Sequence, residues 1–168
     1  MNRLRNLAIA FLVGMALSAQ ASAGALTDYA VNKITDALWR GQSLGAPATW
    51  YIGLDTGSCT ETGGGTEVSG GSYARVAVSA SLAAWAGTQG AGTTVASTGT
   101  SGTTSNNAAI SFASPTANWG QLLSFRVWDA LSGGNAWVCQ ALSIPKTVNN
   151  GDAAPTFNAG SLTIQIDN

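Results

Sequence analysis

The side chains that most often carry out catalysis are scarce in this sequence. Histidine is absent, and with it the usual general base for a serine or cysteine nucleophile. Paired carboxylates, which glycoside hydrolases use, are the best remaining catalytic arrangement, and the candidates are Asp55, Glu61, Glu67, Asp129 and Asp152. Most of them lie close to glycines or in predicted turns, where acidic residues are commonly solvated. We therefore predict a protein that is not an enzyme and that needs no cofactor.

Aromatic side chains offer a second kind of site. The chain has six tryptophans, and binding sites are often lined by aromatic rings. Tyr73, Trp85 and Trp119 are the candidates for contact with a glycan or a protein partner, and the alternative for each is packing in the core. No metal site is predicted, because the chain has two cysteines, no histidine and no close group of carboxylates.

The two cysteines, Cys59 and Cys139, are far apart in the sequence. In an oxidising compartment, an even number of cysteines suggests a disulfide between them. The bond would close a loop of about 80 residues, which is worth on the order of 4 kcal/mol in the chain-entropy model. Two free thiols are the alternative.

Residues 1–23 have the three parts of a secretory signal peptide. Arg3 and Arg5 give a positive start, residues 7–17 are apolar, and residues 21–23 read Ala-Ser-Ala, an A-x-A cleavage site. The alternative is a membrane anchor, but the apolar run is too short to span about 30 Å of hydrocarbon comfortably. We predict cleavage between Ala23 and Gly24, a secreted product, and no membrane contact after cleavage.

The remaining residues, 24–168, have the length of one domain. They carry five Lys/Arg against eight Asp/Glu, scattered without a basic stripe, so nucleic-acid binding is not predicted. Charged residues make up only 9% of the chain. Such a surface resists contact with neighbours weakly, which favours an assembling protein. The alternative is a compact secreted domain whose serines and threonines provide solvation.

The sequence predicts one helix, over residues 27–40. Thr27 suits the N-cap position, Asp28 the first turn, and Gly41 the stop. The apolar positions recur at helical spacing, and they are Ala30, Ile34, Ala37 and Leu38. This stripe must pack either on its own sheet, which we favour, or on a neighbouring subunit.

Everything after the helix reads as strand and turn. Strands are predicted over 48–55, 73–81, 108–114, 122–130, 136–143 and 161–166. Ser132-Gly133-Gly134-Asn135 marks a hairpin, and the Gly/Ser/Thr-rich segment 87–107 is predicted to be a flexible loop. In 73–81, alternation places Ala74, Val76 and Val78 on one face and Tyr73, Arg75 and Ala77 on the other. The predicted fold is mainly β, an antiparallel β-sandwich of the jelly-roll type with one N-terminal helix.

Several segments also resemble a known family. These segments include "LTDYAVNKITDALWRG", "GGTEVSGGSYARVAV", "FRVWDALSGGNAWVCQAL" and "PKTVNNGDAAPTFNAGSLTIQID", in family order and within residues 26–167. They resemble tailed-phage and prophage virion structural proteins of the tail-fibre type. The resemblance implies a β-rich, non-enzymatic, particle-building domain, and it carries over no catalytic residues.

The leader departs from that family pattern, because a virion protein that assembles in the cytoplasm needs no export signal. We therefore favour a fibre-like domain that acts as a secreted, self-associating subunit of an extracellular filament or surface layer, with copies of itself as partners. The alternatives are a glycan-binding adhesive module and an ordinary phage virion structural protein.

Overall fold

In the computed structural model, which describes residues 25–166, the chain forms one helix followed by eight strands. The bounds are α1 Asp28–Trp39, β1 Thr49–Asp55, β2 Val76–Ser79, β3 Thr103–Ser105, β4 Ile110–Ser111, β5 Gly120–Trp128, β6 Ala136–Val148, β7 Thr156–Phe157 and β8 Thr163–Gln165. Each strand pairing is antiparallel. The prediction of a mainly β, antiparallel fold with one helix is confirmed. The predicted leader and its cleavage site at Ala23 and Gly24 lie outside the described residues.

Helix α1 begins and ends where the sequence predicts. The Oγ1 atom of Thr27 accepts a hydrogen bond from the backbone N–H of Ala30 at 3.4 Å and donates one to the carbonyl of Ala136 at 2.6 Å. Gly41 follows the helix at a φ of 68°, where a side chain would be strained. The Thr27 N–H also donates to the carbonyl of Trp137 at 3.0 Å, so the start of α1 is fixed to strand β6 of the same chain. No helix within 25–166 is long and apolar enough to cross a membrane.

The main sheet has the strand order β2-β1-β5-β6. A hairpin through Gly133 and Gly134, both at positive φ, joins β5 to β6 as predicted. The register pairs Ile52 with Val127 and Gly53 with Arg126. Because paired residues share a face and faces alternate along a strand, the sheet has two different sides. We call them the core face (Ile52, Leu54, Phe125, Val127, Val138) and the polar face (Gly53, Asp55, Ser124, Arg126, Cys139).

Two short ribbons, β3–β8 and β4–β7, supply the second layer over the core face. Their residues Ile110 and Ile164 are buried with the core-face side chains in one cluster. Asn106, 1% exposed, joins the ribbons: its Nδ2 donates to the carbonyl of Asn158 at 2.8 Å, and its Oδ1 accepts from Leu162 N–H at 2.9 Å. Strands β3 and β7 were not predicted, and β3 lies inside the segment 87–107.

The predicted alternation over 73–81 is wrong at its start. Val76 and Val78 point inward and Ala77 is exposed, as expected, but Ala74 is exposed, and Arg75, although opposite Val76 as predicted, is buried. The cause is that β2 begins only at Val76, after a turn in which Gly70, Gly71 and Ser72 all have positive φ. The residues before β2 are therefore outside the ladder, and Arg75 turns toward the polar face.

Candidate functional site

The polar face holds a cluster of two ion pairs with a tyrosine and a tryptophan, which we call the polar cluster: Asp55, Glu67, Tyr73, Arg75, Arg126 and Trp128. Its deepest part is the ion pair between Asp55 and Arg126, which lie on adjacent strands. Asp55 is fully buried. The Arg126 Nε donates to Asp55 Oδ2 at 2.9 Å, its Nη2 donates to Oδ1, and its Nη1 donates to the carbonyl of Gly63 at 3.2 Å.

The second ion pair joins Glu67 and Arg75. Arg75 donates hydrogen bonds to both carboxylate oxygens of Glu67, with Nε–Oε1 and Nη2–Oε2 distances of 2.7 Å each. Its remaining Nη1 donates to the carbonyls of Ala130 and Gly133 at 2.7 and 2.8 Å, so Arg75 ties the segment before β2 to the β5–β6 hairpin. Bidentate pairs of this kind are among the strongest hydrogen-bonded contacts.

Tyr73 and Trp128 complete the polar cluster. The Tyr73 hydroxyl donates to Glu67 Oε1 at 3.0 Å and accepts from the Leu54 N–H at 2.8 Å. The guanidinium carbons of Arg75 and Arg126 lie 3.7 and 4.3 Å from the centroid of the Trp128 ring, a cation–π arrangement. The Trp128 Nε1 is buried without a hydrogen-bond partner among the described residues.

Gly53 makes this convergence sterically possible. A Cβ atom at that position would lie 3.0 Å from both Glu67 Oε1 and Trp128 Nε1, and 3.1 Å from the Tyr73 hydroxyl. A side chain at position 53 would therefore displace three members of the polar cluster at once.

The environment shifts the pKa values of the three acids of the polar cluster. Burial raises the pKa of Asp55 above its ordinary value, although the hydrogen bonds from Arg126 oppose the change. Burial alone would raise the pKa of Glu67, but the hydrogen bonds from Arg75 and Tyr73 outweigh it, and the pKa is lowered. Burial also raises the pKa of Tyr73, so its hydroxyl stays protonated. Each carboxylate is thus engaged by an arginine, an arrangement suited to holding segments together.

The other predicted acids lie elsewhere, at turns. Asp129 accepts from the Asn135 N–H at 2.7 Å and from the Trp137 Nε1 at 3.3 Å. Burial would raise its pKa, but hydrogen bonds from Asn135 dominate, and the pKa is lowered. Asp152 accepts from Asn149 N–H at 2.8 Å, and Glu61 is exposed. A Ser-x-x-Lys spacing does occur once, at Ser143–Lys146, but it lies in extended β6 rather than on a helix, where residues three apart are neighbours.

A disulfide joins Cys59 to Cys139 across the polar face, as the sequence suggested. It attaches the segment 56–66 to strand β6. That segment covers the ion pair of Asp55 and Arg126, and it also accepts a hydrogen bond from Ser124 Oγ at the carbonyl of Gly57, 2.6 Å away. The disulfide therefore keeps the segment 56–66 in place over the buried ion pair of Asp55 and Arg126.

The three predicted aromatic contacts do not form one surface. Tyr73 and Trp119 pack edge to face with their ring centroids 5.4 Å apart. Trp119 is 6% exposed, and its Nε1 donates to the carbonyl of Gly71 at 2.9 Å, so Trp119 lies in the core and Tyr73 packs against it. Trp85 is half-buried at a different place and donates from Nε1 to the carbonyl of Ser79 at 3.1 Å.

Trp85 belongs to an open groove of about 250 Å³ over the core face, between α1 and strand β8. We call it the apolar groove. It is lined by Leu26, Ile34, Leu44, Ala46, Trp50, Trp85, Thr104, Val127, Trp137, Val138, Ile164 and Ile166. Beside it, α1 exposes Val31, Leu38 and Trp39, which we call the helix patch. Leu38 is 71% exposed and Trp39 is 83% exposed, values that are unusual for large apolar side chains.

Sequence reasoning missed the polar cluster as a unit. Its strongest signal was the stretch "GTEVSGGSYARVAV", in which an acid, a tyrosine and an arginine surround a glycine turn. Arg75 and Arg126 both sit among apolar strand residues, and a charged residue there is either on an exposed face or paired. Whether such an arginine is exposed or paired depends on long-range contacts that sequence spacing does not reveal.

The fold and these sites define a β-rich protein whose buried ionised groups are paired internally. The chain matches the family model described as Podophage GP4 fiber I protein gp80 over residues 25–165, which is most of its length. It therefore belongs to this phage fibre family, and the predicted resemblance to virion structural proteins is confirmed. No curated protein matches the chain.

Proposed function

We propose that this chain is a non-enzymatic structural subunit that is exported and self-associates, as part of an extracellular filament or surface layer. Membership of a phage fibre family supports a structural role. One observation carries the proposal further: the ionised side chains of the polar cluster are paired internally, whereas large apolar side chains of α1 face solvent. Exposed apolar surface next to a groove is typical of sites where proteins associate.

Self-association is tested by light scattering of the protein collected from the culture medium. The average mass should rise with protein concentration, without any added ligand, because the contacts come from copies of the same chain. A mass that stays monomeric at every concentration would refute the proposal. A subunit that assembles only together with other virion proteins would give this same monomeric result, and would favour an ordinary virion role.

Export is supported by the composition of residues 1–23 and agrees with the disulfide, which persists in oxidising compartments. The intact mass of the extracellular protein should correspond to a chain that begins at Gly24 and carries one disulfide. Recovery of the protein only from the cytoplasm, with residues 1–23 still attached, would contradict export.

Glycan binding is the second candidate, and the half-exposed indole of Trp85 is the observation that favours it. Trp85→Ala would then abolish retention on a glycan array while the disulfide and the circular dichroism spectrum stay unchanged. Trp119→Ala is not an equivalent probe, because Trp119 is part of the core and its loss would destabilise the fold. Equal retention of Trp85→Ala and wild type, or none by the wild type, removes this candidate.

A further inference from the structure

The side chains that line the apolar groove offer no free hydrogen-bond donor to a ligand. The polar side chain in its lining, Thr104, donates its hydroxyl hydrogen to the carbonyl of Ala86 at 2.7 Å. The indole N–H groups of Trp85 and Trp137 donate to Ser79 and Asp129. Sites for small polar ligands have convergent polar groups, and a sugar would have to lose water here without compensation. The groove is therefore suited to apolar side chains.

The helix patch continues directly from the groove. Ile34 lines the groove and lies three residues after Val31 and four before Leu38, so the three side chains share one face of α1. Trp39 is adjacent to this face and is the most exposed large apolar side chain among the described residues. A groove and a protruding indole thus occur on one continuous surface of the chain.

The two charged residues next to Leu38 and Trp39 do not oppose burial of this surface. The groove lining contains no charged residue. Asp36 and Arg40, which flank the helix patch, form an i,i+4 ion pair with a 2.7 Å N–O distance, so they would not carry an unpaired charge into a contact. Burying an isolated charge is what usually prevents such contacts.

The area available is compatible with a specific contact. An aromatic side chain buries about 150–250 Å² of its solvent-accessible surface. The groove walls that contact it lose a similar solvent-accessible area. Two such insertions, one in each direction, would bury roughly 600–1,000 Å² in total. Leu38 and the groove rim add to this, so the contact reaches about the 1,000 Å² of a biological interface.

We propose that the apolar groove receives Leu38 and Trp39 of a second copy of this chain, in a reciprocal contact that forms one of the joints between subunits. The inference rests on the proposed self-association and specifies where it occurs. Apolar burial drives the contact, and the indole enters a groove too small for a whole helix.

Three variants of the extracellular protein test the joint, with sedimentation velocity as the measurement. Trp39→Glu removes the inserted side chain and leaves the groove intact. Ala46→Glu places a carboxylate at the exposed groove wall and leaves Trp39 intact. Ile144→Glu is the matched control, because Ile144 is 80% exposed and lies away from the groove. Intact disulfides and unchanged circular dichroism spectra establish that all three are folded.

Trp39→Glu and Ala46→Glu should each weaken association at least tenfold, whereas Ile144→Glu should associate like the wild type. An equimolar mixture of Trp39→Glu and Ala46→Glu should associate more strongly than either variant alone but more weakly than the wild type, because only one of the two reciprocal insertions can form. If the wild type assembles and Trp39→Glu assembles equally well, the joint lies elsewhere and only this inference fails. A wild type that is monomeric throughout overturns the proposed self-association and the joint with it.

Discussion

At the scale of single residues, the polar cluster explains why charged side chains occur inside a sheet protein. Removing one partner of a buried ion pair leaves an uncompensated charge, which typically costs about 3–5 kcal/mol. Here Arg75 and Arg126 both stack on the indole of Trp128, and each forms an ion pair with a carboxylate. Through its carbonyl contacts, Arg75 connects the segment before β2 to the β5–β6 hairpin, and the Tyr73 hydroxyl accepts from the Leu54 N–H of strand β1. The cluster therefore fixes three segments that are distant in sequence.

Glu67→Gln should lower the free energy of unfolding by about 2–4 kcal/mol at neutral pH, because Arg75 loses its charged partner. The folded-state pKa of Glu67 is below its ordinary value of 4.5. Its contribution is therefore fully present above pH 4.5 and is lost as the pH falls through the folded-state pKa. Urea unfolding should show the wild type and the variant converging in acid.

Glu61→Gln is the matched control for this prediction, since Glu61 is exposed and belongs to the same region of the chain. It should follow the wild type across the pH range. A stability difference between Glu67→Gln and wild type that is as large in acid as at neutral pH would mean that charge is not the source of the effect.

At the scale of elements, the disulfide and the segment 56–66 act together. The bond closes a loop with a sequence separation of 80, and the segment contributes carbonyl acceptors to Arg126 and Ser124. Without the bond, the segment would be attached by these hydrogen bonds and by one from the Asp28 N–H to the Glu61 carbonyl at 2.7 Å. Opening it would admit water to the buried pair of Asp55 and Arg126.

The double variant Cys59→Ala/Cys139→Ala should lose about 2–5 kcal/mol of stability and should exchange amide hydrogens faster in 56–66. Wild-type protein kept reduced is the control and should behave like the variant. Mass measurement with alkylation, before and after reduction, tests the bond itself. Two thiols that alkylate freely in unreduced extracellular protein would contradict the disulfide.

The elements that sequence predicted well are those fixed by local chemistry. Helix α1 has its cap and stop within a few residues, and the β5–β6 hairpin needs the positive φ of Gly133 and Gly134. Strands β3 and β7 are only two or three residues long and exist because a distant strand pairs with them. The local strand propensity of these residues does not indicate such long-range pairing.

The candidate sites also differ in whether local sequence or long-range contacts determine them. The disulfide was predictable from two cysteines and a presumed compartment. The aromatic candidates were chosen by type, and type alone did not separate Trp119, in the core, from Trp85, in the groove wall. Alternation placed Arg75 opposite Val76, where it lies, but its burial depends on a turn at positive φ before β2 and on distant partners, which period-2 spacing does not reveal.

At the scale of the whole molecule, the described chain keeps the ionised groups of the polar cluster paired and presents a weakly charged surface with exposed apolar side chains. Charged residues are 9% of the sequence, so long-range repulsion between copies is small. Association driven by apolar burial should be insensitive to salt, unlike contacts between surface charges. This combination suits a subunit that joins its neighbours by contact rather than by electrostatic attraction.

Electron microscopy of the purified extracellular protein tests this account most directly. The wild type, at concentrations where scattering rises, should form regular filaments or sheets in low and high salt alike, and Trp39→Glu should appear as separate particles. Wild-type preparations that contain only separate particles under all these conditions would contradict it.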